Sequence, residues 1–215
     1  LSRGIDVRLT PEFDVERVKV GGFVTIEAQS HRFFGIVSDI ALETSDSYLR
    51  SAPPNDSDTL VSSIMSGTGA YAVVKVLPQL ILGEEVLDML KGPQPARSIP
   101  NHFSRTYQAS DEDIKEVFGE EDERNIWIGS PLDMEESRVC LDLSTLVGRS
   151  NGVFGKSGTG KTFLTRILLA GILQKRIAVN LIFDMHNEYG WQGTEEGGTG
   201  VKGLKQLFPS QVAVF

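Results

Sequence analysis

Eight consecutive residues, Gly155, Lys156, Ser157, Gly158, Thr159, Gly160, Lys161 and Thr162, satisfy the pattern G-x-x-x-x-G-K-[ST] at every defined position. Glycines at 155, 158 and 160 let the backbone curl until several N–H groups face one anion. A helix starting near Lys161 would aim the positive end of its dipole at the same point. Lys161 then offers a charge to the β- and γ-phosphates, and Thr162 a hydroxyl to a magnesium ion. The ligand this cradle predicts is the triphosphate of ATP with Mg2+.

A second polar run, Asp184-Met-His-Asn-Glu-Tyr, follows an apolar stretch. At the carboxyl ends of strands in an open α/β sheet, side chains face the ligand crevice. Asp184 and Glu188 there would sit beside the nucleotide, with Asp184 reaching magnesium through water and Glu188 orienting a water. Asp184, His186 and Glu188 are also spaced i, i+2, i+4. On a continuing strand they would share a face and could hold a transition metal. A strand end capped by polar residues is the plainer alternative.

The elements that must hold these residues are legible in part. Val153-Phe154 precedes the glycine loop, and Phe163, Leu164, Ile167, Leu168 and Ile172 recur at helical spacing from Thr162 to Lys175. Residues 177–184 are almost continuously apolar, as buried parallel strands are. A short helix over 201–207 and a strand over 211–215 complete the opening of a doubly wound α/β domain. Upstream, Val18–Val20, Phe23–Ala28, Phe33–Ile40 and a run from Ala70 ending near Pro78 read as strands, and Ser, Asp, Asn and Pro make 44–69 a loop. Several short strands with glycine turns predict a small all-β barrel. Ser110 with Asp113 three residues on predicts a capped helix start, in a stretch where eight of thirteen residues from Asp111 to Glu123 are acidic. That stretch reads as a solvated helix, or as a contact for a basic partner. Asn125–Gly129 and Val139–Leu143 read as further strands. The expected division is a barrel over 1–95, a connector with an acidic helix over 96–136 that returns a strand to the barrel, and the first part of a RecA-like P-loop core over 137–215.

Composition sets bounds. With 40% hydrophobic and 23% charged residues the chain is ordinary for a globular protein. No stretch reaches the roughly 18 to 20 apolar residues of a membrane helix. One cysteine, Cys140, excludes an internal disulfide and fits a reducing cytoplasm. Leu1 in place of an initiator Met suggests a fragment or processed chain. Residues 1–150 carry 14 Lys/Arg against 25 Asp/Glu and residues 151–215 carry 7 against 4, so the net −8 divides into −11 and +3. A protein that coats DNA by bulk charge is not expected from that balance, whereas a ring with basic groups along its channel is compatible with it.

Three features resemble the HerA–FtsK group of ring ATPases, and HerA-like members in particular. They are Val153 to Thr162, the Asp184–Tyr189 run beside the family's D-P-H-G-E-Y, and a β-rich segment containing His31-Arg-Phe-Phe-Gly-Ile-Val-Ser-Asp-Ile. Met185 and Asn187 stand where the family pattern has Pro and Gly. The resemblance implies a homo-hexameric, ATP-driven translocase or helicase on double-stranded DNA, with the barrel docking a nuclease or another effector in DNA processing or phage defence. It also implies a nucleotide-reaching role for Arg149, which precedes the first core strand. The family's Walker B strand and arginine elements have no counterpart before Phe215, so residues 1–215 alone are expected to bind nucleotide and hydrolyse it poorly. A different reading is an oligomeric assembly module in which the barrel and acidic segment recruit a partner and nucleotide is structural. A P-loop GTPase should show N-K-x-D, and none is present.

Overall fold

The computed structural model describes residues 3–44, 70–83, 92–191, 193–194 and 200–215. The loop expected over 44–69 lies almost wholly outside them. The chain divides into two compact units, Leu1–Val117 with Pro131–Ser137, and Phe118–Ser130 with Arg138–Phe215.

In the first unit β1 (Ile5–Arg8), β2 (Phe23–Glu27), β3 (His31–Thr44), β4 (Ala70–Gly83), β5 (Gln94–Pro95) and β6 (Thr106–Gln108) form one sheet. Its order is β1-β4-β3-β2-β6, with β5 also on β4, and every pairing is antiparallel. Alternation of β-branched and aromatic residues puts Ile26, Phe33, Val37, Val74 and Val76 into one buried cluster. β1 and β6 end the sheet without pairing to each other, so the expected barrel is an open antiparallel sheet among the described residues. The segment at Val18–Val20, expected as a strand, is not one. A 3-10 turn over Val15–Arg17, capped by the Asp14 carboxylate, precedes it. β4 runs through Pro78 instead of stopping there. Pro78 lies opposite Gly35, where the register already shifts, so the missing N–H falls at an interruption of the ladder.

Helix α1 (Asp111–Phe118) follows β6. Asp113 N–H donates to Ser110 Oγ at 3.2 Å while Ser110 N–H donates to Asp113 Oδ2 at 2.9 Å, which satisfies two helix-end groups reciprocally. The same carboxylate accepts from Thr25 Oγ1 at 3.0 Å and from Arg32, whose second nitrogen donates to Glu116 Oε2 at 2.8 Å. Asp113 is only 4% exposed. Burial pushes its pKa up, but the Ser110 N–H, the Thr25 hydroxyl and the Arg32 charge outweigh it and hold the carboxyl below its usual value.

In the second unit β7 (Asn125–Gly129) and β8 (Val139–Asp142) pair antiparallel. α2 (Leu143–Val147) is capped by Asp142, which accepts from Ser144 N–H at 2.8 Å and Thr145 N–H at 3.1 Å. α3 (Lys161–Lys175) packs Ile172 onto Ile126 and Leu143. Gly171 permits the approach: a Cβ there would lie 2.5 Å from Ile126 Cδ1. β9 (Gly193–Thr194) and β10 (Gly200–Val201) pair, and α4 (Leu204–Leu207) follows.

The expected parallel sheet is not formed among the described residues. Segments 153–154, 177–184 and 211–215 carry no strand. An apolar run becomes a central strand only when two neighbours satisfy its backbone, and no described segment pairs with 177–184. Ile177 and Ala178 still pack against the Ile126, Leu143 and Ile172 cluster, but beyond them the run turns to solvent, with Val179 fully exposed and Phe183 88% exposed. The architecture is mixed α/β with antiparallel sheets.

Candidate nucleotide site

Glycine conformation opens the site. Gly158 and Gly160 adopt φ of 79° and 83°, the left-handed region that side chains disfavour. Gly155 is held by contact: a Cβ there would meet Thr159 Oγ1 at 2.5 Å. The loop is exposed throughout. Within it Thr159 Oγ1 donates to Lys156 O at 2.7 Å and Lys161 Nζ donates to the same oxygen at 2.6 Å. Gly160 is the N-cap of α3, with no side chain accepting from the first-turn amides and no acidic residue in that turn. Those amides and the Lys161 ammonium leave a positive end suited to an anion.

The polar run Asp184–Tyr189 folds as a turn. Asp184 Oδ1 accepts Glu188 N–H at 2.9 Å and Oδ2 accepts Tyr189 N–H at 2.8 Å. Burial raises the pKa of this carboxyl, yet the backbone donors from Tyr189, Glu188, Gly190 and His186 dominate and hold it below the usual value. Asn187 takes φ of 56°, at the position where the family pattern carries glycine. Asn tolerates the left-handed region better than other non-glycine residues, so the departure keeps the turn. α4 fixes the far side, with Leu204 N–H donating to Tyr189 O at 2.8 Å and Lys205 N–H to Gly190 O at 3.1 Å.

The turn and the loop meet at Glu188. Thr162 Oγ1 donates to Glu188 Oε2 at 3.2 Å. Arg166 donates from Nε to Glu188 O at 2.9 Å and from Nη2 to the same oxygen. Thr162 and Arg166 are one helical turn apart, so both reach one residue of the facing segment. Sequence reading missed Arg166, although its i+4 spacing from the loop threonine was a usable signal. Arg149 is not gathered in. It is exposed after α2, and its side chain makes no hydrogen bond or ion pair with the described residues. His186 is exposed, residues 184–188 are a turn, and no group of three metal-ligating side chains occurs among the described residues. Asp184, His186 and Glu188 therefore do not share the strand face on which a metal could be held.

The donor set fits a nucleotide phosphate with magnesium. The loop has glycine where side chains would fill it, an ammonium, and bare helix amides. The Thr162 hydroxyl gives its hydrogen to Glu188 and keeps lone pairs for a hard cation.

Residues 126–215 match the family model for the central domain of helicase HerA. The DNA double-strand break repair helicase HerA of Pyrococcus furiosus is 29% identical over 113 residues, which are 52% of this chain and 20% of that protein. The chain thus spans about a fifth of the length of that curated relative. The two matches support a HerA-like assignment, and with it a P-loop NTPase fold for the matched region. No helix among the described residues is long and apolar enough to cross a membrane.

Proposed function

We propose, on the premise of a HerA-like segment over residues 126–215, that this protein is an ATP-hydrolysing motor that acts on duplex DNA. The observation that carries the reading is the meeting of Thr162 with Glu188 across the mouth of the glycine loop. Loop amides and Lys161 bind and orient the β- and γ-phosphates. Lys161 would exchange its bond to Lys156 O for a phosphate oxygen. Magnesium, when bound, supplies charge neutralisation for those phosphates, and Thr162 would hold it. Glu188 orients the attacking water, while Asp184, committed to the backbone of its own turn, acts on magnesium through water and on Glu188 through geometry. Arg149 reaches a nucleotide of its own or a neighbouring subunit. The working form is a homo-hexamer around DNA, in the cytoplasm, with the open-sheet unit docking a nuclease or other effector. The reading is tested by ATP turnover of the intact protein beside Lys161→Ala. Loss of turnover supports it. Turnover that survives the substitution removes Lys161 from the chemistry and the loop from the role of active site.

A further inference from the structure

The sheet of the first unit ends in two edges, β1 and β6, which no described strand bridges. Its two terminal strands, β1 and β6, line one cavity of about 1350 Å³. Because β1 opposes β4, β4 opposes β3, β3 opposes β2 and β2 opposes β6, β1 and β6 run in the same direction.

Ladder geometry then says which backbone groups face the gap. Leu9 N–H donates to Ala72 O, so Val7 and Ile5 also turn their polar groups to β4, and Asp6 and Arg8 turn theirs away. On the other side Glu27 N–H donates to Arg105 O and Ala109 N–H to Phe23 O. Tyr107 therefore bonds β2, and Thr106 and Gln108 present their N–H and C=O groups outward. In an antiparallel ladder alternate residues bond alternate sides. None of these four residues makes a backbone hydrogen bond across the gap to another described residue. A strand antiparallel to both edges would satisfy both at once, whereas direct closure of β1 on β6 would be a parallel pairing, slightly weaker per residue.

The walls specify the side chains of such a strand. The inner wall is apolar, with Ile26 and Val76 at its base. At the rim Ile99 and Phe103 are 61% and 104% exposed, an apolar surface that marks contact sites. The charged groups of the lining are Asp6 and Asp133 against Arg8, Arg17, Lys19 and Arg105, a basic excess. Asp133 is taken by Lys19, while Arg17 and Arg105, both lining the cavity, have no carboxylate partner among the described residues.

We propose that this gap is a docking site for an extended segment of a partner protein, apolar at alternate positions and acidic between them, which adds by β-augmentation antiparallel to β1 and β6. The inference deepens the effector-docking reading above and rests on it only for the premise that this unit binds another protein.

The test uses the intact protein and three fluorescein-labelled heptapeptides: alternating Glu and Val, alternating Lys and Val, and the Glu/Val peptide with a central Pro. Anisotropy should show the Glu/Val peptide bound at least about tenfold more tightly than either of the others. Its binding should slow amide exchange at Asp6, Arg8, Thr106 and Gln108. The exposed double reversal Arg17→Glu with Arg105→Glu should invert the preference between the Glu and Lys peptides without unfolding the unit. Equal binding of the Glu and Lys peptides overturns the acidic class. No binding, with the four amides already slow to exchange in the free protein, overturns the site and shows β1 closing on β6. ATP turnover of the double-reversal protein separates the two readings, since the gap can fail while the motor works.

Discussion

Arg166 offers the sharpest perturbation of the nucleotide site. Its Nε and Nη2 both donate to Glu188 O, and the Glu188 carboxylate in turn accepts from Thr162 Oγ1 at 3.2 Å. Arg166→Met keeps the length and packing of the stem and removes both donors. A charge-assisted hydrogen bond is worth about 1.5–3 kcal/mol net. Two bonds to one carbonyl on a half-buried side chain are not additive, so a total near about 1.5 kcal/mol is reasonable. Freed from that pin, Glu188 orients the Thr162 hydroxyl less well. Groups that orient a metal ligand typically cost about 10–100-fold in metal affinity when removed. We therefore expect the magnesium-dependent part of ATP affinity to fall about tenfold, near the lower end of that range and equivalent to about 1.4 kcal/mol. The affinity for ATP in EDTA should stay within about twofold, because loop amides and Lys161 are untouched. Calorimetric titration of ATP with and without magnesium reads both numbers. Arg166→Lys should fall between, having one donor fork less. If both affinities drop together, or neither moves, Arg166 is a packing residue and the reasoning is wrong.

Asp113→Asn should destabilise the first unit by about 2–4 kcal/mol, because Thr25 and Arg32 lose a buried charged partner; urea unfolding followed at that unit checks it. The Asp113 pKa is lowered from 3.8, so its stabilisation is present above that value and is lost as pH falls through the lower folded value. Acid unfolding of the wild type should show that loss and the Asn variant should not. Asn187→Gly should be neutral or stabilising by up to about 1 kcal/mol, and Asn187→Val should cost about 1–2 kcal/mol, since φ is 56° there; thermal melts of the three proteins decide it.

Local chemistry was legible in the sequence and pairing was not. The glycine loop, the start of α3 and the reciprocal Ser110–Asp113 cap depend on residues within a few positions of each other. β2, β7 and β8 were visible because their apolar and β-branched runs are short and bounded by turn residues. The run 177–184 is different. Its composition is that of a buried strand, but a strand exists only when another segment supplies hydrogen bonds, and composition does not say whether one does. The path of β4 through Pro78 depended on a bulge at Gly35, more than forty residues earlier in the chain. The acidic stretch read as a solvated helix, yet Asp113 is buried against Arg32 at a separation of 81 residues. At the site, Thr162 and Glu188 were each visible by motif, and their contact became visible only in three dimensions.

The measurement that bears most directly on the central claim is ATP turnover by the intact protein with and without duplex DNA, at several salt concentrations, beside Lys161→Ala. A DNA-driven motor should show turnover stimulated by DNA, stimulation that weakens as salt rises because phosphate contacts release counterions, and loss of both in the variant. Turnover indifferent to DNA, or absent although ATP binds, would contradict the motor and favour a nucleotide-stabilised assembly module.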